Sequence, residues 1–237
     1  MDSSERYSRQ TMLPELGAEG QKRLSATRIL LVGAGGLGSP IATYLTAAGI
    51  GTLGIIDADK VSVSNLQRQT LYTEDEVGQS KVECAYKRLH GLNNEVSIRT
   101  YDCFLTKDNA AEIISGYDMV VDGCDNFATR FIINDICIAA GKPYIYGSIQ
   151  GLNGQISVFG VPDASGKVHS YRDLYDESEL LSMEAPSKAV LGITPAVTGS
   201  VEANQVLQLA AGFGEPLIGK LWSIDLRTME SYIIDLP

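Results

Sequence analysis

The sequence predicts an α/β protein with a mostly parallel sheet that carries helices on both faces. Short apolar segments alternate with segments of helical spacing from residue 28 to residue 148. The apolar segments are continuously hydrophobic, as strands are when helices cover both faces of a parallel sheet. A glycine-rich turn, Gly33–Gly38, lies between the first apolar segment and the first helical one. These three observations fix the fold class.

The elements follow in order along the chain. Parallel strands are predicted at residues 28–32, 53–56, 96–100, 119–122 and 144–148. Helices are predicted between them at residues 37–48, 79–89, 109–114 and 128–140. Gly49 and Gly141 directly follow two of the helices and suit their C-terminal caps.

The pattern changes after Gly151. A strand is predicted at 155–159, a helix at 195–211, and a closing pair of strands at 221–225 and 231–234. Between them, residues 161–190 are polar, acidic and weakly periodic, and we interpret them as a long crossover loop. Loops of this length are usually functional, although a disordered insertion is the alternative. We expect residues 1–237 to form one domain.

Composition excludes several classes of protein. A net charge of −10 argues against nucleic-acid binding. No run of about 18 apolar residues is present, and the N-terminal segment is acidic, so we expect a cytoplasmic protein without a membrane partner. The four cysteines show no CxxC spacing, and we expect buried thiols rather than disulfides or a zinc site.

The glycine turn is the first candidate functional motif. Gly33, Gly35 and Gly38 form a G-x-G-x-x-G pattern that opens a helix, where backbone amides bind phosphate. Asp57 ends the second strand, where a carboxylate accepts hydrogen bonds from ribose. The motif predicts a nucleotide without saying which one. Glycines that serve only tight packing, or a dinucleotide-dependent dehydrogenase, remain alternatives.

Cations beside the second strand favour ATP. A polar loop at residues 62–69 contains Arg68, and Lys81 begins the next predicted helix. Attack at the α-phosphorus of ATP requires donors that neutralise the phosphates. Asp125 follows the fourth strand, where it is placed to hold Mg²⁺; a helix N-cap is its alternative role.

Six motifs in order resemble the ThiF/MoeB/HesA group, the prokaryotic relatives of ubiquitin-activating enzymes, and most closely its ThiF members. They are RYSRQ (6–10), GAGGLG (33–38), IDAD (56–59), SNLQRQ (64–69), GQSK (78–81) and DGCDN (122–126). The resemblance extends from about residue 6 to residue 227. It implies a Rossmann-like sheet and an adenylyltransferase that uses ATP and Mg²⁺.

The resemblance also implies roles for individual residues. The residues that it implies for phosphate contact or catalysis are Arg9, Arg68, Lys81 and Asp125, and Asp125 would also hold the metal. Nucleotide binding falls to Gly33, Gly35, Gly36, Gly38, Asp57, Asp59, Asn65 and Gln69, and Gln69 is placed to orient Arg68. In the family the N-terminal arginine reaches the ATP of the neighbouring subunit, which implies a homodimer.

The implied substrate is the C-terminal Gly-Gly carboxylate of a small ubiquitin-like sulfur carrier protein. A ThiS-like carrier of thiamine synthesis is the leading candidate, and a MoaD-like carrier of molybdopterin synthesis is its competitor. The carboxylate is already an anion at neutral pH, so no general base is required. Small residues at 194–200 either admit the slender tail or serve helix packing.

This sequence departs from the family in its cysteines. Many relatives carry two CxxC pairs for structural zinc, but no cysteine follows Cys137 here, so we expect no zinc. The segment 183–188 lacks the cysteine that forms a covalent intermediate in some relatives. We therefore expect a separate sulfur donor. His90 and His169 are interpreted as surface residues.

Three other functions stay open. A non-catalytic scaffold of this fold is disfavoured because the candidate site residues occur together. An NAD-dependent oxidoreductase does not explain the cations. Activation of a small carboxylate or a tRNA base also begins with adenylation, although the acidic charge disfavours tRNA.

Overall fold

The computed structural model describes residues 3–184 and 187–237, and its eight strands form one sheet. The strands are β1 (Arg28–Val32), β2 (Thr52–Ile56), β3 (Ser97–Tyr101), β4 (Met119–Asp122), β5 (Tyr144–Gln150), β6 (Asn153–Phe159), β7 (Lys220–Asp225) and β8 (Glu230–Asp235). All eight predicted strands are present, and their ends differ from the prediction by no more than two residues.

The sheet has the order β3-β2-β1-β4-β5-β6-β7-β8. The first five strands are parallel, and β6, β7 and β8 extend the sheet with antiparallel pairs. From β1 the chain first adds β2 and β3 on one side and then returns to place β4 on the other side of β1. The direction of strand addition therefore reverses between β1 and β4. Open α/β sheets bind ligands beyond the carboxyl ends of strands at such a position.

Nine α-helices of the described residues surround the sheet. They are α1 (Ser3–Arg6), α2 (Ser8–Thr11), α3 (Gly17–Ala26), α4 (Gly38–Ala48), α5 (Lys81–Leu92), α6 (Ala110–Ser115), α7 (Phe127–Ala140), α8 (Glu177–Ser182) and α9 (Ile193–Ala211). One apolar core packs α4, α5 and α9 against the sheet, and a second packs α6 and α7 against the opposite face. The predicted two-sided α/β architecture is confirmed. None of the described helices is long and apolar enough to cross a membrane.

The helices before β1 are absent from the sequence prediction. In α3 only Gly20 and Leu24 are buried, so the segment lacks the repeated apolar spacing that reveals a helix. Leu24 packs with Ala211 at the end of α9. Contacts with a distant part of the chain therefore stabilise this helix.

The crossover segment is more structured than the sequence predicts. Residues 171–173 form a 3₁₀ turn, α8 follows, and the Tyr171 ring is fully buried among other aromatic rings. Asn134 on α7 accepts a hydrogen bond from the Tyr171 amide at 2.8 Å. Residues 171–173 and 177–182 form regular elements, which contradicts the disordered alternative there, while residues 185 and 186 of this loop lie outside the described residues.

The surface interpretation of His169 is wrong. Its ring is buried, Nε2 lies 2.9 Å from Asp163 Oδ2, and the ring packs on Gly219. The burial comes from segments that the sequence pattern does not place together. His90 is exposed, as expected, and stacks on Tyr86 within α5.

Candidate functional site

The glycine turn lies where β1 and β4 end side by side. Gly33 has a φ of +95°, and a Cβ there would lie 2.5 Å from the carbonyl oxygen of Gly123. A Cβ at Gly38 would lie 2.2 Å from the carbonyl oxygen of Gly33. These two glycines are therefore required by close packing of the turn. Gly35 has no such close neighbour, and its nearest atom would be 3.6 Å away on Gln69.

Asp57 connects the end of β2 to the glycine turn. Its Oδ2 accepts a hydrogen bond from the Ala34 amide at 2.8 Å, and its Oδ1 accepts one from the Asp59 amide at 2.8 Å. Because an ionised carboxylate has about four acceptor positions, Asp57 retains capacity for ribose hydroxyls. The structure thus brings the predicted turn and the predicted acid together.

Lys81 lies beside both acids of the IDAD motif. Its Nζ is 2.9 Å from Asp59 Oδ2 and 3.9 Å from Asp57 Oδ2. The Lys81 side chain is 5% exposed, whereas that of Asp59 is 58% exposed. The ammonium group is therefore held by a carboxylate that faces solvent. A phosphate arriving from solvent can share the ammonium with Asp59.

The polar loop after β2 forms a 3₁₀ turn that presents Arg68 near the glycine turn. Arg68 Nη1 donates a hydrogen bond to the Ser64 carbonyl at 3.0 Å. A Cβ at Gly36 would lie 3.6 Å from Arg68 Cδ. The backbone carbonyl of Asn65 accepts hydrogen bonds from the amides of residues 68 and 69, which stabilises this turn.

Gln69 does not orient Arg68 through a hydrogen bond in the described structure. The side chain of Gln69 is buried beside Gly35, and its Oε1 has no hydrogen-bond partner among the described residues. Gln69 therefore faces the glycine turn, whereas Arg68 turns back towards Ser64.

The loop after β4 presents Asp125 to solvent. Asn126 caps α7 by accepting the Thr129 amide at 2.9 Å, so the N-cap role falls to Asn126 and not to Asp125. Asp125 is exposed and makes no hydrogen bond or ion pair with any described residue. Its carboxylate is therefore available to a ligand.

Arg9 does not join the other site residues of its own chain. Tyr7 packs on Gly49 at the C-terminal end of α4, and Gln10 Nε2 donates to the Ala48 carbonyl at 2.9 Å. The glycine turn lies at the opposite end of this 11-residue helix, about 16 Å away along its axis. Arg9 itself is exposed and makes no hydrogen bond or ion pair with the described residues.

The thiols lie mostly within the cores. Cys84, Cys124 and Cys137 are buried, as expected, while Cys103 is half-buried, and none forms a disulfide. Burial raises the pKa of the Cys137 thiol to about 12 and raises the pKa of Cys84. Burial and then the Asp122 carboxylate raise the pKa of Cys124.

Several residues at the site are absent from the sequence prediction. Tyr72 donates a buried hydrogen bond of 2.7 Å to the carbonyl of Ala34 in the glycine turn. Asp122 and Arg130 form a buried ion pair of 2.9 Å beneath the 123–126 loop. Arg130 lies on the first turns of α7, four residues beyond Asn126. This spacing would place Arg130 near the DGCDN motif on a helix, and it is the sequence signal that could have identified the residue.

The small residues at the start of α9 favour packing over a tail passage. A Cβ at Gly199 would lie 2.6 Å from the Leu37 carbonyl, and Thr198 packs directly on Gly154. Pro195 contacts Gly36 of the glycine turn. This helix therefore supports the glycine turn from behind.

Among residues 3–184 and 187–237, no group of three or more His, Cys, Asp or Glu side chains is arranged to hold a metal ion. Asp125 is an exposed carboxylate in the 123–126 loop. A metal held there would need most of its ligands from water or from phosphates.

The fold and site define a Rossmann-like α/β protein. Its glycine turn, of the type that binds phosphate, lies beside acidic and basic side chains where β1 and β4 end. The chain belongs to the ThiF family, whose model matches residues 7–236. It is 44% identical to the sulfur carrier protein adenylyltransferase of Thermus thermophilus over 93% of this chain and 83% of that protein.

Two further comparisons agree with this family. The probable adenylyltransferase/sulfurtransferase MoeZ of Mycobacterium tuberculosis is 44% identical over 94% of this chain, which spans 58% of the length of MoeZ. A crystal structure of Escherichia coli MccB with ATP superposes with a TM-score of 0.80 at 26% identity, covering 98% of this chain and 71% of MccB.

Proposed function

We propose that this protein uses ATP and Mg²⁺ to adenylate the C-terminal carboxylate of a small ubiquitin-like sulfur carrier protein that ends in Gly-Gly. The observation that carries the proposal is the meeting of the glycine turn, the Asp57–Asp59–Lys81 group, Arg68 and Asp125 at one edge of the sheet. Membership in the ThiF family and the name of the Thermus relative support it.

In this proposal each part of the site has one task. Asp57 accepts hydrogen bonds from ribose, Asp59 shares Lys81 with the phosphates, and Gly33, Gly35, Gly36 and Gly38 let the turn approach them. Asn65, Arg68 and Lys81 stabilise charge on the α-phosphate and the departing pyrophosphate. Gln69 supports the turn from its buried position. The carrier carboxylate forms the new bond to the α-phosphorus as the bond to the β-phosphate oxygen breaks.

Asp125 is the proposed Mg²⁺ ligand. Its exposed carboxylate, which pairs with none of the described residues, fits a hard cation that prefers oxygen ligands and retains waters. The metal would neutralise phosphate charge when bound. Asp125→Asn should raise the Mg²⁺ concentration needed for half-maximal exchange, whereas Glu112→Gln, a change to an exposed acid on α6, should leave it unchanged.

We propose that a second copy of the chain supplies Arg9. Tyr7 and Gln10 hold the N-terminal segment that carries Arg9 about 16 Å from the glycine turn of the same chain, which supports a site completed by a second chain. Inactive Arg9→Ala and Arg68→Ala proteins should regain about a quarter of the normal activity when mixed as subunits. No recovery in mixed dimers, shown by differently tagged subunits, would contradict the composite site.

Sulfur transfer is proposed to use a separate donor. Three thiols lie buried in the cores, and the raised pKa of Cys84, Cys124 and Cys137 disfavours their thiolates at neutral pH. A protein with all four cysteines replaced by serine should retain exchange activity if it folds. Loss of activity in a folded variant would reveal a catalytic thiol.

The decisive experiment is ATP–pyrophosphate exchange with Mg²⁺. A carrier with its Gly-Gly tail should support exchange, and the same carrier without the tail should not. A ThiS-like carrier is expected to give the higher kcat/KM in a parallel assay with a MoaD-like carrier. Exchange with neither carrier would contradict the proposed function, and the reverse preference would move the protein to molybdopterin synthesis.

A further inference from the structure

The loop that presents Asp125 rests on a buried network of charges and hydrogen bonds. Asp122 Oδ1 accepts the Cys124 amide at 2.9 Å and the Cys124 thiol at 2.8 Å. Asp122 Oδ2 accepts Arg130 Nε and the Tyr144 hydroxyl, each at 2.9 Å. Both oxygens of this fully buried carboxylate are therefore occupied by donors from the loop, from α7 and from β5.

Arg130 completes the hold on the loop. Its Nη2 donates to the Cys124 carbonyl at 3.0 Å and to the Gly147 carbonyl at 3.1 Å. The acid and the base together bond both backbone polar groups of Cys124, the residue next to Asp125. The loop is thereby tied to β5 and to α7 at the same point.

Stability alone is a weak reason for such a network. Taking two charges out of water costs free energy, and an apolar pair of similar volume is often as stable or more stable. Buried ionic groups do give one defined geometry where directional hydrogen bonds are needed. The geometry fixed here is that of the backbone on which Asp125 is carried.

We propose that Asp122 and Arg130 are positioning residues that hold the 123–126 loop so that Asp125 faces the nucleotide phosphates and their metal. This inference rests on the proposed function for the role of Asp125. The support of the loop by Asp122 and Arg130 does not depend on the proposed function, because it involves only contacts within the chain. Loop stability and nucleotide binding are therefore measured separately.

The hold on the loop is tested by the reactivity of Cys124. In Asp122→Asn/Arg130→Met the buried charges are removed together, so no unpaired charge remains. Iodoacetamide labelling followed by peptide mass spectrometry should show Cys124 reacting about tenfold faster than in the unchanged protein, because the loop opens more often. Cys137 lies within the core on α7 and should stay protected, which controls for global unfolding.

A milder variant decides the matter if the double variant does not fold. Tyr144→Phe removes one hydrogen bond to Asp122 and should speed Cys124 labelling about threefold, with Cys137 unchanged. Arg172→Gln breaks an exposed ion pair with Asp135 and is the matched control that should change neither rate. Unchanged Cys124 labelling in the folded variants would overturn the proposal.

The link to the nucleotide is tested by binding without turnover. The dissociation constant of Mg²⁺–ATP, measured by calorimetry in the absence of any carrier, should rise about tenfold in the folded double variant. The affinity for ATP in EDTA should change less than twofold. If the loop loosens while Mg²⁺–ATP affinity stays the same, the role in positioning Asp125 is refuted. If the unchanged protein itself binds no Mg²⁺–ATP, the proposed function fails instead.

Discussion

Strands β2 and β4, which lie on either side of β1, end in acid–base groups that differ in their exposure to solvent. We call Asp57, Asp59 and Lys81 the β2 group, and Asp122 with Arg130 the β4 group. In the β2 group the partner that holds Lys81 most closely is 58% exposed. In the β4 group both partners are buried, and their other hydrogen bonds join backbone atoms, the Cys124 thiol and the Tyr144 hydroxyl.

The difference separates two uses of charge. A cation held by a solvent-facing carboxylate can exchange part of that interaction for a phosphate with little loss of stability. A cation that is buried with its acid cannot make this exchange, since the carboxylate would be left unpaired inside the protein. We therefore infer that the β2 group serves the ligand and that the β4 group serves the loop that reaches the ligand.

The largest expected effect comes from unpairing the β4 group. Asp122→Asn leaves Arg130 buried without its acid and should lower the free energy of unfolding by about 3 to 5 kcal/mol. Asp59→Asn in the β2 group should lower it by less than about 1 kcal/mol, since Asp59 is largely exposed. Urea unfolding followed by circular dichroism measures both. Equal losses would remove the distinction between the groups.

Removing the cation beside the β2 group should affect catalysis and not stability. Arg68→Ala should raise the activation free energy of carrier-dependent exchange by about 3 kcal/mol, which lowers kcat/KM more than about a hundredfold. Its free energy of unfolding should change by less than about 0.5 kcal/mol. Arg172→Ala, an exposed arginine paired with Asp135 and Glu177, is the control and should keep full activity. Exchange within twofold of normal in Arg68→Ala would refute its role.

A third buried ionisable group lies against the β4 group from the opposite face of the sheet. Glu202 on α9 is fully buried against Gly147, and its carboxyl oxygens have no hydrogen-bond partner among the described residues. Burial, followed by the Asp122 carboxylate, raises the pKa of Glu202 well above its usual range, although Arg130 acts in the opposite direction. The neutral carboxyl is therefore favoured to higher pH in the folded protein than in the unfolded chain.

The raised pKa predicts a loss of stability as the pH rises. The unfolded chain releases the Glu202 proton near its usual pKa of 4.5, while the folded chain retains it to higher pH. The stabilisation is complete below pH 4.5 and declines above it, by up to about 1.4 kcal/mol per pH unit. Glu202→Gln should gain stability over the unchanged protein across that range, as measured by urea unfolding at several pH values. Parallel curves would show that Glu202 ionises normally.

The smallest expected effect concerns the hydroxyl that supports the glycine turn. Tyr72→Phe removes the buried hydrogen bond to the Ala34 carbonyl and should lower the free energy of unfolding by about 1 kcal/mol. Burial raises the pKa of Tyr72, so the hydroxyl remains a donor at neutral pH. The KM for ATP should rise by a few fold. An unchanged KM would mean that the β2 strand end holds the turn without this tyrosine.

The sequence predicted the parts of the site that local rules control. Gly33, Asp57 and Lys81 follow or begin regular elements, and their positions relative to β1, β2 and α5 suffice to bring them to one edge of the sheet. Arg130 was missed because an arginine within a helix usually faces solvent. Its burial depends on Asp122 and Tyr144, which are contributed by two strands.

The wrong interpretations share a physical cause. His169 and the segment around Tyr171 are polar or irregular in sequence, so periodicity indicates a loop on the surface. Asp163, Gly219 and Asn134 enclose them from three separate parts of the chain. Contacts between distant segments leave no periodic signal in the sequence.

The sequence by itself determined the succession along the chain of the eight strands and of helices α4, α5, α6, α7 and α9, the turn that opens α4, and the family to which the motifs point. Those features depend on hydrophobic spacing and on short-range backbone chemistry, which each segment carries on its own. Only the tertiary structure decided that Asn126 caps α7 while Asp125 pairs with none of the described residues, that Arg9 lies far from its own glycine turn, and that a buried ion pair lies beneath the 123–126 loop. These features depend on which distant groups become neighbours when water is excluded, and local sequence does not encode them one segment at a time.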